Sequence, residues 1–345
     1  MIQEETFNRM LDGKQVGFFT IRGGDGMYAQ ITNYGARIVG MTVPVFQGGQ
    51  RDVVLGFPTL DEWLTQEVYL NAVIGRYANR IKDGRFALDG RTYQLPLNDD
   101  GRNCLHGGTR GFHTQVWEVV RHTQDSLLLH YHAKDGEEGF PGNAEVEVRY
   151  TITRGNALEI AYSATTDAPT PFGLTHHAYF NLEGEASGSV REHLLQIMAN
   201  QYTPLDDTFC PTGEIKDVSG TAMDFRKPVR LGDRMDDPFF AHGKGIDNNW
   251  VLSLQPHKAP TLVARLTAKG CAMEVWTTMP GLQVYTGNYV AANRGKSGTY
   301  YAPQCAVCLE AQSFPDSPNH LHFPSVILRP GEEYRHVTRY VFRLV

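Results

Sequence analysis

The chain is poor in cysteine, in long apolar runs, in basic charge and in helical periodicity. Five cysteines stand in 345 residues: Cys104, Cys210, Cys271, Cys305 and Cys308. An odd, sparse set does not make a disulfide framework. "CAVC" at 305–308 has redox or zinc spacing, but no second CxxC accompanies it. Free thiols on a strand are the simpler reading. No run approaches the ~20 apolar residues that span a bilayer. The first residues, "MIQEETFNRMLDGKQ", are acidic and polar, unlike a signal peptide. These features predict a cytoplasmic protein that engages no membrane. The formal net charge of -6 offers no basic surface, so no nucleic-acid partner is expected. HExxH, GxSxG and an EF-hand loop are all missing. Nothing in the sequence bears on oligomeric state.

What the chain has is period-two alternation. "AEVEVRYTIT" sets Val146, Val148 and Tyr150 on one face and Glu145, Glu147 and Arg149 on the other. "ALEIAYSAT", "LLLHYHAK" and "RHVTRYVFRLV" alternate in the same way. This pattern predicts half-buried antiparallel strands. Thirty-five glycines and 18 prolines, scattered along the chain, supply turns. The best helix candidate is the short "TLDEWLTQE". With no linker or charge block, the expectation is one all-β domain over residues 1–345. Its form would be a large, twisted, mainly antiparallel β sandwich.

Three local motifs are weighed and set aside. "GDGMYA" at 24–29 resembles a dinucleotide loop, but a strand-like segment follows where a helix is required, so a hairpin turn is expected. "GKS" at 295–297 lacks the first glycine of a phosphate loop. "HYHAKDGE" offers His130, His132 and Glu137 in a spacing used by cupin-type metal sites. The simpler reading places both histidines on the exposed face of a strand.

Polar residues inside strand-like segments are more informative. In "PFGLTHHAYFNL", read as a strand, His176 shares a face with Leu174 and Ala178. His177 shares the other with Thr175 and Tyr179, because successive side chains point oppositely. A histidine on a polar ladder is a candidate acid, base or ligand, so the pattern favours His177. In "QCAVCLEAQ", Glu310 and Gln312 oppose Leu309 and Ala311; a carboxylate in a strand is unfavourable unless solvated or paired. "PGLQVYTGN" sets Gln283 and Tyr285 against Leu282 and Val284. The loop-like "IGRYANRI" and "GRNCLHGG" add Asn79, Arg80 and His106, with paired glycines that could let backbone approach a ligand. Together these side chains form a hydroxyl-reading set suited to a neutral polyol.

With those residues in view, the chain resembles the aldose 1-epimerase (galactose mutarotase) family. The likeness runs from "NYGARI" at residue 33 to "LRPGEEY" at residue 334. Between them, in family order, stand "GRYANRI", "LHGG", "GFPGN", "THHAYFNL", "GIDNNW", "PGLQVYTGN" and "LEAQSFPDSPNH". The resemblance implies a single-domain β supersandwich. It implies Glu310 as general base and His177 as general acid. It implies His106 near the ring oxygen, with Asn79, Arg80, Tyr179, Asp247 and Gln283 binding sugar. The expected reaction interconverts α and β anomers of free aldoses, such as glucose and galactose, by ring opening and reclosure. It calls for no metal, nucleotide or other cofactor, and its partner is the small-molecule aldose. An imidazolium near pH 7 would be helped by a negative neighbour such as Glu310. Two positions depart from the family pattern: His176, where asparagine is common, and Asn248, where histidine is common. Both leave the preferred aldose open. The rival readings are a non-catalytic sugar-binding β sandwich and an epimerase for a pentose or phosphorylated sugar. Only an epimerase needs both Glu310 and His177, and a phosphorylated substrate would call for cations beyond Arg80.

Overall fold

In the computed structural model, which describes residues 1–65 and 69–345, alternation becomes three principal antiparallel sheets. The largest has nine strands in the order Glu118–His122, Ser126–Ala133, Ala144–Thr153, Ala157–Thr166, Tyr334–Arg343, Cys271–Thr277, Thr261–Ala268, Leu194–Ile197 and Val229–Arg230. The C-terminal strand thus sits in the middle of the sheet, pairing Tyr162 with His336 on one side and Val275 with Tyr340 on the other. A four-stranded sheet comprises Phe18–Arg22, Tyr28–Thr32, Arg37–Val45 and Gly49–Asp52. "GDGMYA" falls at its first hairpin, as expected.

The predicted inward faces are buried: Val146, Val148, Tyr150, Leu158, Ile160 and Tyr162 all lie in one core cluster. That cluster also takes Ile21 and Val43 from the four-stranded sheet, and Trp250, Leu282 and Leu309 from a five-stranded one. Burial of this apolar surface, at about 25 cal/mol per Å², is the main force holding the layers together. The helix candidate is a helix over Leu60–Thr65, opened by a reciprocal cap in which Thr59 Oγ1 donates to Glu62 Oε2 at 2.7 Å. Its expected last residues, Gln66 and Glu67, lie outside the described residues.

The five-stranded sheet runs Lys216–Asp217, Gln201–Tyr202, Asp247–Val251, Gly281–Tyr285 and Cys308–Gln312. Its register sets Asn249 opposite Gln283, and Gln283 opposite Glu310. One face of these strands enters the core. The other carries a ladder of acids and amides that is also buried, including Asn249, Gln283, Glu310 and Gln312.

One element differs from expectation. Residues 172–182 do not form a long strand; only Thr175–His176 does, paired with Val73–Ile74. The segment threads between layers and is buried throughout, so its alternation separates core from pocket rather than core from water. Its backbone groups are satisfied by irregular bridges, such as Phe180 to Val307 and Asn181 N–H to Val53 C=O.

Candidate active site

Glu310 opens from the polar ladder into a cavity of about 600 Å³, lined by seven of the eight predicted site residues. Glu310 and His177 meet there, with Glu310 Oε1 3.6 Å from His177 Nε2. Both are deeply buried, at 1% and 5% exposure, which excludes a surface role for the glutamate. The His177 ring stacks on Tyr179 at 4.9 Å between centroids and meets the edge of His106 at 5.2 Å. Its backbone is fixed on both sides, donating to Ala72 C=O and accepting from Asn71 N–H, each at 2.9 Å. His176 points the other way, into the core against Tyr150. The face alternation read from sequence therefore holds at these two histidines, although the strand is short.

Asn79, in left-handed backbone at φ 68°, donates its N–H to His106 Nδ1 at 3.1 Å. A nitrogen that accepts carries no proton, so neutral His106 holds its proton on Nε2. Burial, then the neighbouring His177 and Arg80, push the His106 pKa well below 6.5 and keep the ring neutral. His106 is thus a fixed donor. His106, His177 and Glu310 offer ligand atoms within 4.8 Å of one another, a spacing that could suit a metal ion. The tautomer opposes it: ligation through Nε2 would move the proton to Nδ1, against the Asn79 N–H. The residues do not fit a resident metal.

Arg80 donates from Nε to Asp99 at 2.8 Å and lies 3.9 Å from Asp247. Burial opposes its charge, but the Asp247 and Asp99 carboxylates outweigh that and raise its pKa. Gln283, the eighth predicted residue, sits behind the wall and donates to Asp247 Oδ1 at 2.7 Å. It orients the aspartate.

The expectation that Glu310 would keep His177 charged is not met. Burial pushes His177 down to about 3. Burial, reinforced by Asp247, pushes Glu310 well above its ordinary value. Desolvation outweighs the pair's mutual attraction at 3.6 Å, and both groups favour their neutral forms.

As expected, His130 and His132 share the outer face of one strand; both meet the carboxylate of Glu145, at 2.7 and 2.6 Å, while Glu137 accepts from the Tyr131 hydroxyl, so the cupin-like trio is not assembled. One further expectation is corrected. Gly107 and Gly108 do not serve a ligand. A Cβ on Gly107 would stand 2.0 Å from Gly75 C=O, and one on Gly108 2.3 Å from the Glu138 carboxylate, so these glycines permit close chain packing. All five cysteines are buried and none is in a disulfide; Cys308 is on a strand, whereas Cys305 precedes it.

The sequence reading missed Tyr69, Asp99, Phe209, His242 and Tyr289, which also line the cavity. Asp99, the partner of Arg80, lies 19 residues from it in sequence, so no local pattern marked it. The others come from loops far apart in sequence and carry no local pattern.

The fold is a large antiparallel β sandwich, and its pocket brings a buried carboxyl and a buried imidazole together. Comparison with known proteins agrees. Residues 18–341 match the aldose 1-epimerase family. The chain is 42% identical over 319 residues to galactose mutarotase of Sus scrofa, covering 92% of each chain. It is 36% identical over 335 residues to aldose 1-epimerase of Escherichia coli, covering 96% of each. Among solved structures, an aldose epimerase homologue from C. elegans superposes with a TM-score of 0.88 at 35% identity, covering 96% of this chain and 99% of that one. The chain belongs to the aldose 1-epimerase family and is an isomerase.

Proposed function

We propose that this protein interconverts the α and β anomers of a free aldose, with Glu310 as base and His177 as acid. The observation that carries the proposal is the buried Glu310–His177 pair, 3.6 Å apart on the cavity wall. Glu310 takes the proton from the sugar's O1 as His177 gives one to the ring oxygen O5. The C1–O5 bond breaks, C1 becomes an aldehyde, and rotation about C1–C2 presents its other face. O5 then re-adds to C1, losing its proton to His177 as O1 regains one from Glu310. Protons and electrons balance over the cycle. Each proton transfer contributes about 10²–10⁴-fold.

The neutral resting pair suits this scheme. A protonated Glu310 beside a neutral His177 holds as many protons as a carboxylate beside an imidazolium. Sugar hydroxyls that donate to the carboxylate favour the second form. In this reading His106 Nε2–H donates to O5, and Arg80, Asp247, Asn79 and Tyr179 read the remaining hydroxyls. Gln283 acts through Asp247. Two carboxylates already match Arg80, which suits a neutral sugar better than a phosphorylated one.

The names of the mammalian relatives make galactose the first substrate to try, with glucose beside it. One domain over residues 1–345 is supported by the core cluster that joins the three sheets. Among the described residues, no helix is long and apolar enough to cross a membrane. A cytoplasmic location is the reading supported by five cysteines outside any disulfide. The test is polarimetry on pure α-anomers of glucose, galactose, xylose and arabinose. Acceleration of at least one over its spontaneous rate is expected, and acceleration of none contradicts the proposal.

A further inference from the structure

The cavity has a second compartment. Behind it lies a smaller cavity of about 170 Å³, and Phe209, His242 and Asp247 line both. The partition is a three-layer stack. The Phe209 ring lies 4.4 Å from the His242 ring at 17° between planes, and the Arg80 guanidinium stands 5.1 Å from the Phe209 centroid. Stacked aromatics and an arginine at these distances attract one another.

Phe209 is held there against its backbone preference. Its φ is 62°, a region that bulky residues rarely enter. The turn is imposed by Asp206, whose Oδ1 accepts from Thr208 N–H at 2.8 Å, Thr208 Oγ1 at 2.7 Å and Cys210 N–H at 3.1 Å. Lys82 anchors the same carboxylate at 2.7 Å. Backbone strain of this kind persists only where the surroundings impose it, and it collects at ligand sites.

The direction of the wall follows from the chemistry. In a pyranose, C1 and O5 lie at one end, and C3 and C4 at the other. If Glu310 and His177 hold the first end, as proposed above, the second points towards Arg80 and Asp247. Phe209 lies beyond them. We infer that Phe209 is a specificity-determining residue: its ring closes the pocket to aldoses that carry a substituent on the hydroxyls remote from C1. The same ring fixes Arg80 for sugars that lack one.

The test compares α-glucose with α-lactose, which presents the same reducing ring bearing a galactosyl group on O4. Phe209→Gly suits the experiment because glycine adopts φ near 60° without strain. Phe209→Asn is the second choice, since asparagine also tolerates that region. Thermal melts confirm folding of each. The ratio of kcat/KM for lactose to that for glucose should rise about tenfold in either variant, a change of ~1.4 kcal/mol. KM for glucose should rise as Arg80 loses its stacking partner. Phe209→Tyr, which keeps the ring, should hold the wild-type ratio. A merely structural role would lower the melting temperature and leave the ratio unchanged, which would overturn the inference. If the wild-type protein accelerates no aldose at all, the underlying functional reading fails instead.

Discussion

Replacing Glu310 by glutamine should make the protein more stable and nearly inactive. The side chain is 1% exposed, and Oε2 has no hydrogen-bond partner among the described residues. Its pKa in the fold stands well above the ordinary 4.5. The folded state therefore binds this proton more tightly than the unfolded chain does. The group favours folding at low pH, and its contribution is lost as pH rises past 4.5 towards the folded value. Each pH unit in that window is worth about 1.4 kcal/mol, so the penalty at pH 7 is at most a few kcal/mol, on the order of 1–3. Glutamine keeps the shape and removes the charge. The expected gain is about 1–3 kcal/mol, or a rise of several degrees in Tm for a chain of this size. Basicity is lost with the charge, so kcat should fall by roughly two orders of magnitude or more. Thermal melts at pH 7 and polarimetry on the best aldose measure the two effects in one preparation. A variant with near wild-type kcat, or one that melts lower than wild type, would refute the reasoning.

Other outcomes follow from the same geometry. Because the neutral resting pair already holds the one proton that the carboxylate–imidazolium form needs, kcat/KM should stay level on acidification from pH 7 to 5; a steep fall across that range would contradict the shared proton. His113, His176 and His177 are pushed to about 3, and His193 and His336 to about 4, chiefly by burial. Each is neutral in the fold but charges in the unfolded chain below about 6.5, so stability should be full above that pH and fall as pH drops through 6 and 5. Melting temperatures that stay constant from pH 7 to 5 would count against this. Chelator treatment should leave activity unchanged, since His106 is locked as a donor at Nε2; restoration of an EDTA-inactivated sample by a divalent metal would overturn that.

The parts of the fold that could be read from sequence are those with one wet face. Glu145, Glu147 and Arg149 face outward between Val146, Val148 and Tyr150, and period two says so directly. The polar ladder was readable for a related reason, because Gln283 and Glu310 interrupt otherwise apolar strands. Residues 172–182 were read as too long a strand, because burial on both sides looks like a continuous ladder. His130 and His132 share a face as expected, yet their partner is Glu145 on the neighbouring strand. Sequence spacing cannot reveal such cross-strand pairs. The wall formed by Phe209 and His242 is of the same kind. Its two halves come from separate loops, and it exists only because tertiary packing and the Asp206 turn bring them together.

The central claim is that His177, rather than its neighbour His176, is the acid that opens the sugar ring. His177 faces Glu310 across the cavity, whereas His176 is packed against Tyr150 in the core. The direct measurement is kcat for His177→Asn and for His176→Asn on the best aldose, with folding checked by thermal melts. The account predicts that His177→Asn loses roughly two orders of magnitude or more in kcat. It predicts that His176→Asn keeps substantial turnover with some loss of stability. An active His177→Asn beside a dead, folded His176→Asn would contradict it.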